Sequence, residues 1–285
     1  MIKPGEVKVM KKKLNAVKIA EFVGMCILAF IFIMPFFWTV ITSLKAPNEI
    51  LTWPPTFFPE KPIFKNYTDV IKKINIFRMF GNSIYIALVT TVGQVFFCSL
   101  AGYAFAKLDF RGRELLFKIY LSTMMVPGMI LLIPRYVIMR ELGWVDKHVS
   151  VILPFIFGNA FGVFLMRQFY MTLPGQLKEA AIIDGASQPQ IFIRVYMPLT
   201  KAIVSTLFVF SFMGSWNDFL WPLITLQSAK LKTLPIGLAS FQSLYGVQYN
   251  LLMAGAVLSV LPVMLAFLLA QKQFIEGIAL SGVKG

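Results

Sequence analysis

The chain has 285 residues, of which 58% are hydrophobic and only 14% are charged, and its mean hydropathy is +0.73. This composition excludes a water-soluble globular protein, because too little polar surface remains to cover so large an apolar interior, and it also excludes a disordered chain. The net charge of +14 is therefore expected beside anionic lipid headgroups rather than in a nucleic-acid groove.

Apolar segments of membrane-spanning length recur along the chain. A helix needs about 20 apolar residues to cross the hydrocarbon core of a bilayer, and the segments that meet this length are 22–44, 84–106, 119–138, 149–170, 202–223 and 251–270. The predicted fold class is an all-α, polytopic membrane protein with six transmembrane helices. The basic cluster before the first segment resembles a signal peptide, but that segment is too long and lacks a small-residue cleavage site, so we expect a retained span.

The distribution of Lys and Arg predicts the orientation of the chain. Most basic residues fall on the inner side if both termini are cytoplasmic, and the cluster before the first span decides the assignment because the outer loop at 45–78 is also basic. The outer loop at 45–81 is rich in proline and is predicted to hold one short helix at 67–74. The other long loops are 171–201, inside, and 225–250, outside.

Cysteine and histidine provide no pattern for a metal or cofactor site. Cys26 and Cys98 both lie in apolar segments, where a thiol behaves as a small hydrophobic group. His148 is the sole histidine, so a zinc or haem site is not expected. No cofactor is predicted on this chain.

The inner loop at 171–201 is predicted to contain a helix at 176–183. Leu177, Ala180 and Ala181 are three and four residues apart and are expected to share a shallow face. The charges of Lys178 and Glu179 could set the register of this helix against a partner. Gly185 can adopt positive φ and end the helix before a second short helix leads to the fifth span. The alternative is a surface helix that lies on the lipid headgroups.

The order of residues in this loop resembles the EAA loop of ABC importer permeases. The pattern has Glu179, Ala180 and Ala181, then three residues, Gly185, nine residues, and Val195, Met197 and Pro198. Val195 and Met197 replace the Ile and Leu of the family pattern, and the loop lies between the fourth and fifth of six spans, as it does in that family.

Other stretches are similar to the carbohydrate importers, and within them to the second permease subunit of the maltose type. They are 82–83 (Asn-Ser), 164–169 (Phe-Leu-Met-Arg-Gln-Phe), 184–187 (Asp-Gly-Ala-Ser), 215–223 (Ser-Trp-Asn-Asp-Phe-Leu-Trp-Pro-Leu) and the Gly-rich ending 277–285. The resemblance implies a cytoplasmic N-terminal segment at 1–21, a six-span permease domain at 22–270 that includes the EAA loop at 171–201, and a cytoplasmic tail at 271–285.

The resemblance implies a transport subunit of an ATP-driven sugar importer in the plasma (inner) membrane. Its expected partners are a second permease subunit, two ATPase subunits and an extracytoplasmic substrate-binding protein, in contact with membrane lipid and with no nucleic acid. The sequence contains no Gly-Lys pair, so the phosphate-binding loop of an ATPase is absent and the chain is not expected to be an enzyme. The tail at 271–285 is a further candidate for contact with the ATPases. The residues expected to dock the ATPase are Glu179, Ala180, Ala181, Asp184, Gly185 and Pro198.

Asp218 is the clearest acidic residue inside a predicted span. An acid at that depth costs about 3 kcal/mol if it faces lipid, so it usually faces a cavity or another helix. Aromatic and polar side chains together are typical of sugar sites, and the substrate-path candidates are Trp216, Asn217, Asp218 and Trp221. The alternative is helix packing or a position at the membrane surface, where Trp is enriched. Gln94 and Asn159, also within predicted spans, are expected to form hydrogen bonds between helices rather than to bind a ligand, which is the alternative.

Two other classes of protein compete with this interpretation. A secondary transporter or channel would also have six spans, but it should carry ion-coupling acids or a ring of pore charges, of which the sequence offers little beyond Asp218. An intramembrane enzyme would need paired acids or a Ser-His arrangement, and none is visible.

Overall fold

The computed structural model of the chain describes residues 4–243 and 246–282, with side chains for residues 18–243, 246–265, 267 and 268. Helices dominate this part of the chain. They are α1 (Pro4–Ser43), α2 (Pro47–Ile50), α3 (Lys65–Ile74), α4 (Ile76–Lys107), α5 (Arg113–Ser122), α6 (Leu132–Glu141), α7 (Val149–Ile156), α8 (Ala160–Thr172), α9 (Gln176–Ile183), α10 (Gln188–Gln190), α11 (Met197–Leu199), α12 (Lys201–Trp216), α13 (Leu220–Thr225), α14 (Leu234–Ala239) and α15 (Tyr249–Gly282).

Regular structure other than α-helix is confined to short segments of the described residues. An antiparallel ribbon joins β1 (Gln242–Ser243) to β2 (Gly246–Val247), with Gln242 opposite Val247. A 3-10 turn at Thr123–Met125 follows α5, and a π-helical segment, Ile191–Tyr196, connects α10 to α11. The all-α prediction is therefore correct apart from the ribbon.

Helices of spanning length are fewer than the six predicted segments. Among the described residues, Lys18–Ser43, Ile76–Lys107 and Val149–Thr172 are long and apolar enough to cross a membrane. A fourth span results if Gln188–Leu199 and Lys201–Trp216, which meet at an angle of 83°, are counted together. The apolar part of α15, Tyr249–Leu265, is shorter. The fold is that of a polytopic, mostly helical membrane protein.

Three of the predicted spans are interrupted, and the prediction of uninterrupted helices is wrong there. The segment 119–138 breaks between α5 and α6 around Pro127, which has no N–H to donate. The segment 149–170 contains Pro154 in α7 and then Gly158 at φ +94°. The segment 202–223 breaks at residues 217–219, between α12 and α13.

The chain divides into two compact units, and the smaller comprises Met1–Val70 and Phe241–Leu258. Asn66 holds its parts together: it is only 4% exposed, and its Nδ2 donates to the carbonyl oxygens of Ser43 at 2.8 Å and Lys45 at 3.1 Å. Its Oδ1 accepts from Asn250 Nδ2 at 2.8 Å. One buried amide thus connects the end of α1 to the start of α15. The short helix predicted at 67–74 is part of α3.

The larger unit comprises Ile71–Ser240 and Ser259–Gly285, and α4 lies at its centre. This helix contacts α7, α8 and α12. Two glycines permit the closest approach: a Cβ on Gly102 would lie 2.6 Å from the Met166 Cβ, and one on Gly162 would lie 2.6 Å from the Cys98 Sγ. Small residues are what allow membrane helices to approach so closely.

A carboxylate clamp fixes the end of α13. Asp146, at φ +59°, accepts hydrogen bonds from the backbone N–H groups of Gln227 at 2.9 Å and Ser228 at 2.8 Å. It also accepts from the Ser228 hydroxyl, and its own N–H donates to Thr225 O at 2.8 Å. The hydrogen bonds from Ser228, its hydroxyl first, hold the pKa of the Asp146 carboxyl below its usual range.

Asp146→Ala is expected to release residues 227–228, because their amides lose their acceptor. Hydrogen exchange at Gln227 and Ser228 should then become several-fold faster. Since the folded pKa is depressed, the clamp contributes fully above the unfolded value of about 4 and is lost as the pH falls through the lower folded pKa. Asp109→Ala changes an exposed aspartate that lies between α4 and α5 and should leave exchange at these two amides unaltered. Equal protection in both variants would contradict the clamp.

Candidate functional site

The loop between α8 and α12 forms a defined elbow, residues 173–200. The helix predicted at 176–183 is α9, with those bounds, and the predicted positive φ of Gly185 is confirmed at +78°. Gly185 N donates to Ile182 O and Ala186 N donates to Ala181 O, both at 2.9 Å. This pair of bonds is the Schellman ending of a helix, which a residue in the left-handed conformation permits.

The two faces of α9 differ in exposure. Leu177 and Ala181 are half-buried, and Ala181 packs against the core together with Ala186. Ala180, which was expected on the same face, is exposed, as is Glu179. Ile183 is 85% exposed. The exposed face therefore combines the acid Glu179 with two exposed apolar side chains, those of Ile182 and Ile183.

Two lysines attach the elbow to the end of α4. Lys178 Nζ donates to Lys107 O at 2.6 Å, and Lys107 Nζ donates to Leu173 O at 2.6 Å. Lys107 also lies over the Tyr196 ring, 5.6 Å from its centroid. Of the two charges predicted to set the register of α9 against a partner, Lys178 is thus engaged within the chain, and Glu179 is the exposed one.

A cluster of aromatic rings, the aromatic base, packs beneath α9 and joins the elbow to α4 and α8. The Tyr103 ring lies 5.2 Å from those of Phe192 and Tyr196 and 5.8 Å from that of Tyr170. Tyr103 OH also donates to Gln188 Oε1 at 3.1 Å. Because these rings come from α4, α8 and the π-helical segment, the elbow has a rigid base. The remaining predicted docking residues, Asp184 and Pro198, are both exposed.

A second candidate site is a cavity of about 480 Å³. Its walls are residues of α4, α6, α7, α8, α12 and α13 together with the interruptions between helices. Two of the four predicted substrate-path residues, Asp218 and Trp221, line it. Trp221 is held in place because its Nε1 donates to Ser150 O at 2.9 Å.

The other two predicted substrate-path residues lie elsewhere. Trp216 is buried, its Nε1 donates to Ser259 O at 3.2 Å, and its ring stacks on Phe212 with centroids 5.9 Å apart. Asn217 is exposed and donates to Met213 O at 2.9 Å. Neither residue is among those that line the cavity.

The two polar residues predicted within spans, Gln94 and Asn159, differ in their surroundings. Gln94 lines the cavity. Asn159, predicted to bond between helices, instead caps its own helix: its Oδ1 accepts from Gly162 N at 2.8 Å at the start of α8. Arg135 was missed, although a cation within the apolar segment 119–138 is the kind of signal that marks a functional position.

The comparisons with known proteins agree with the membrane fold. Residues 98–278 match a family described as "Binding-protein-dependent transport system inner membrane component". The chain belongs to this family. As a member of the binding-protein-dependent transport family, it is a multi-pass protein of the inner membrane and a transport component rather than an enzyme.

Relatives within the binding-protein-dependent transport family include two named for sugars. The chain is 39% identical over 261 residues to the arabinooligosaccharides transport system permease protein AraQ of Bacillus subtilis, covering 90% of this chain and 92% of AraQ. It is 35% identical over 259 residues to the lactose transport system permease protein LacG of Rhizobium radiobacter, covering 91% and 94%. A crystal structure of a bacterial ABC transporter involved in the import of the acidic polysaccharide alginate matches with a TM-score of 0.78 at 25% identity, covering 91% of this chain and 97% of that chain.

Proposed function

We propose that the chain is one permease subunit of an ATP-driven importer for an oligosaccharide or a related polyol. The family membership and the sugar-transport relatives support a sugar as cargo. In this proposal six segments cross the membrane, both termini are cytoplasmic, and the interrupted segments each count as one span. A secondary transporter is disfavoured because the family depends on a binding protein.

The partners follow from the same proposal. A second permease subunit completes the translocation path, two ATPase subunits bind on the cytoplasmic side, and a binding protein delivers the sugar from outside. The tail at 271–285 is proposed to contact the ATPases; its side chains lie outside the described residues. The chain itself is proposed to need no cofactor, since hydrolysis belongs to the ATPase chains.

The observation that carries the coupling role is the exposed face of α9 on a rigid base. Ala181 packs against the core and the lysine hydrogen bonds fix the position of α9, so Glu179 and Ile183 project outward. Glu179 is proposed to pair with a basic residue of the ATPase, and Ala180 to permit its close approach, while Ala181 lets α9 lie close to the core of this chain. Asp184, Gly185 and Pro198 shape the elbow around this contact.

Glu179→Lys is expected to lower ATPase stimulation by binding protein and sugar at least tenfold, because it places like charges at the proposed contact. The measurement uses the chain co-purified with its partner permease and ATPase subunits in nanodiscs. Glu141→Lys is the matched control, since it makes the same reversal at an exposed glutamate at the end of α6. Full stimulation and assembly in Glu179→Lys would rule out this docking contact.

A further inference from the structure

The interruptions of the three broken segments meet at one cavity. Gly128 and Met129 come from the break between α5 and α6, Asn159 from the break between α7 and α8, and Asp218 from the break between α12 and α13. All four residues line the cavity of about 480 Å³ described above. Three helix interruptions that are far apart in sequence thus line the same cavity.

Irregular backbone at membrane depth requires an explanation, because lipid offers no hydrogen bonds to the N–H and C=O groups that a broken helix frees. Such backbone is tolerated only where it is buried in protein or lines a water-filled cavity. In transport proteins, interrupted helices of this kind build the binding site for the cargo. The convergence of the breaks therefore marks this cavity as a candidate ligand site.

A buried hydroxyl in the cavity wall supports this interpretation. Thr90 is 2% exposed, lines the cavity, and its Oγ1 has no hydrogen-bond partner among the described residues. A buried hydroxyl without a partner costs free energy, and at Thr90, unlike the neighbouring Thr91, a ligand in the cavity can complete its bonding. Gln94, one turn further along α4 and 8% exposed, adds an amide that both donates and accepts.

The charges of the cavity wall sum to zero. Arg135 and Asp218 are the charged residues among the described residues that line it, and they attract one another electrostatically. The Arg135 guanidinium lies over the rings of Phe155 and Trp221, 4.9 and 5.2 Å from their centroids. These ring contacts hold the cation in place. An anionic ligand would be attracted by Arg135 but repelled by Asp218.

We propose that this cavity binds a neutral, hydroxyl-rich sugar unit and that Arg135 and Asp218 select it against acidic sugars. The assignment rests on the proposed import function and adds the class of cargo and its contacts on this subunit. Sugar hydroxyls both donate and accept, so they can satisfy Asp218, Arg135 and Thr90 at once. The volume falls within the range of small-molecule sites, about 300 to 1,000 Å³.

The contact between the Thr90 hydroxyl and the sugar is tested by Thr90→Val, with Thr91→Val as the matched control. Thr91 is the next residue of α4, is 0% exposed, and also has an unpartnered hydroxyl, but it does not line the cavity. The complete importer with its binding protein is reconstituted in proteoliposomes and supplied with arabinotriose or lactose. Sugar accumulated per ATP hydrolysed should fall about three- to tenfold in Thr90→Val and stay within about twofold of wild type in Thr91→Val.

Two outcomes would overturn the assignment: equal ratios in the two threonine variants, or wild-type uptake confined to acidic probes such as trigalacturonate or glycerol 3-phosphate. A wild-type complex whose ATPase does not respond to its binding protein would instead count against the import function. The ratio of sugar to ATP separates these failures, because a docking defect lowers hydrolysis itself.

The charge pair is tested by the ratio of neutral to acidic uptake. Asp218→Asn leaves Arg135 without its counter-charge, so uptake of trigalacturonate relative to arabinotriose should rise about tenfold. The double variant Arg135→Gln with Asp218→Asn restores neutrality and should return the ratio towards wild type, which also shows whether the single variant failed only by misfolding. An unchanged ratio in a folded Asp218→Asn importer would overturn the selectivity role.

Discussion

Gly102→Ala is expected to destabilise the larger unit by about 3 kcal/mol or more, one of the two largest effects anticipated for a single substitution in this chain. The new Cβ would lie 2.6 Å from the Met166 Cβ and 2.9 Å from the Arg167 backbone nitrogen. Backbone cannot move aside as a flexible side chain can, so α4 and α8 must separate. The helix propensity that Ala gains, about 1 kcal/mol, does not offset this.

The measurement is the thermal unfolding of the purified chain in nanodiscs, with the monodisperse fraction recorded in parallel. A loss of about 3 kcal/mol corresponds to a midpoint lower by about 5 °C for a chain of this size. Gly81→Ala is the matched control, because Gly81 lies in the same helix and its added Cβ would meet nothing within 4 Å. Unfolding midpoints that coincide for both variants would show that the two helices are not in the contact described.

The elbow was the part of the fold that sequence predicted best, and the reason is local. The run 176–183 has no helix breaker, and Gly185 is the residue type that adopts positive φ without strain, so neighbouring residues alone decide where α9 ends. Which face packs inward was not decided locally: Ala180 is exposed although it was expected beside Leu177. That outcome depends on the aromatic base and the lysine hydrogen bonds, which come from distant helices.

The cavity was predicted only in part because hydropathy averages over the breaks that form it. The segment 119–138 is apolar throughout its length, yet Pro127 and Gly128 separate α5 from α6. Asp218 stood out as an intramembrane acid and does line the cavity, but its neighbours Trp216 and Asn217 do not. At a helix interruption, the side chains of adjacent residues are directed differently. No pattern in the sequence indicates which of them faces the cavity.

One uninterrupted helix connects the two candidate sites. Thr90 and Gln94 of α4 line the cavity, while Tyr103 and Lys107 of the same helix hold the elbow. Gln94 and Lys107 are separated by about 20 Å along the helix axis, at 1.5 Å per residue. Because α4 is continuous between them, a displacement of the elbow is expected to move the cavity wall, and the proposed ATPase contact at α9 would thereby act on the proposed sugar site.

Gly185→Ala tests whether the shape of the elbow, rather than its charge, is needed for this coupling. The substitution adds no clash, since nothing lies within 4 Å of the new Cβ, but at φ +78° an Ala is strained by about 1 to 2 kcal/mol. The elbow can relieve that strain only by opening the Schellman ending, which displaces α9 from its base. We expect ATPase stimulation by binding protein and sugar to fall about tenfold, in line with an unfavourable change of that size.

Gly175→Ala provides the comparison, because it makes the same change ten residues earlier in the elbow at φ −65°, also with nothing within 4 Å. That variant should retain wild-type stimulation. Gly185→Asn should lie between the two, since Asn adopts positive φ more readily than Ala. A graded loss in the order Ala, Asn, Gly at position 185, with no loss at 175, would tie coupling to the backbone conformation of the elbow. Equal activity in all four proteins would mean that the ATPase recognises side chains of α9 alone.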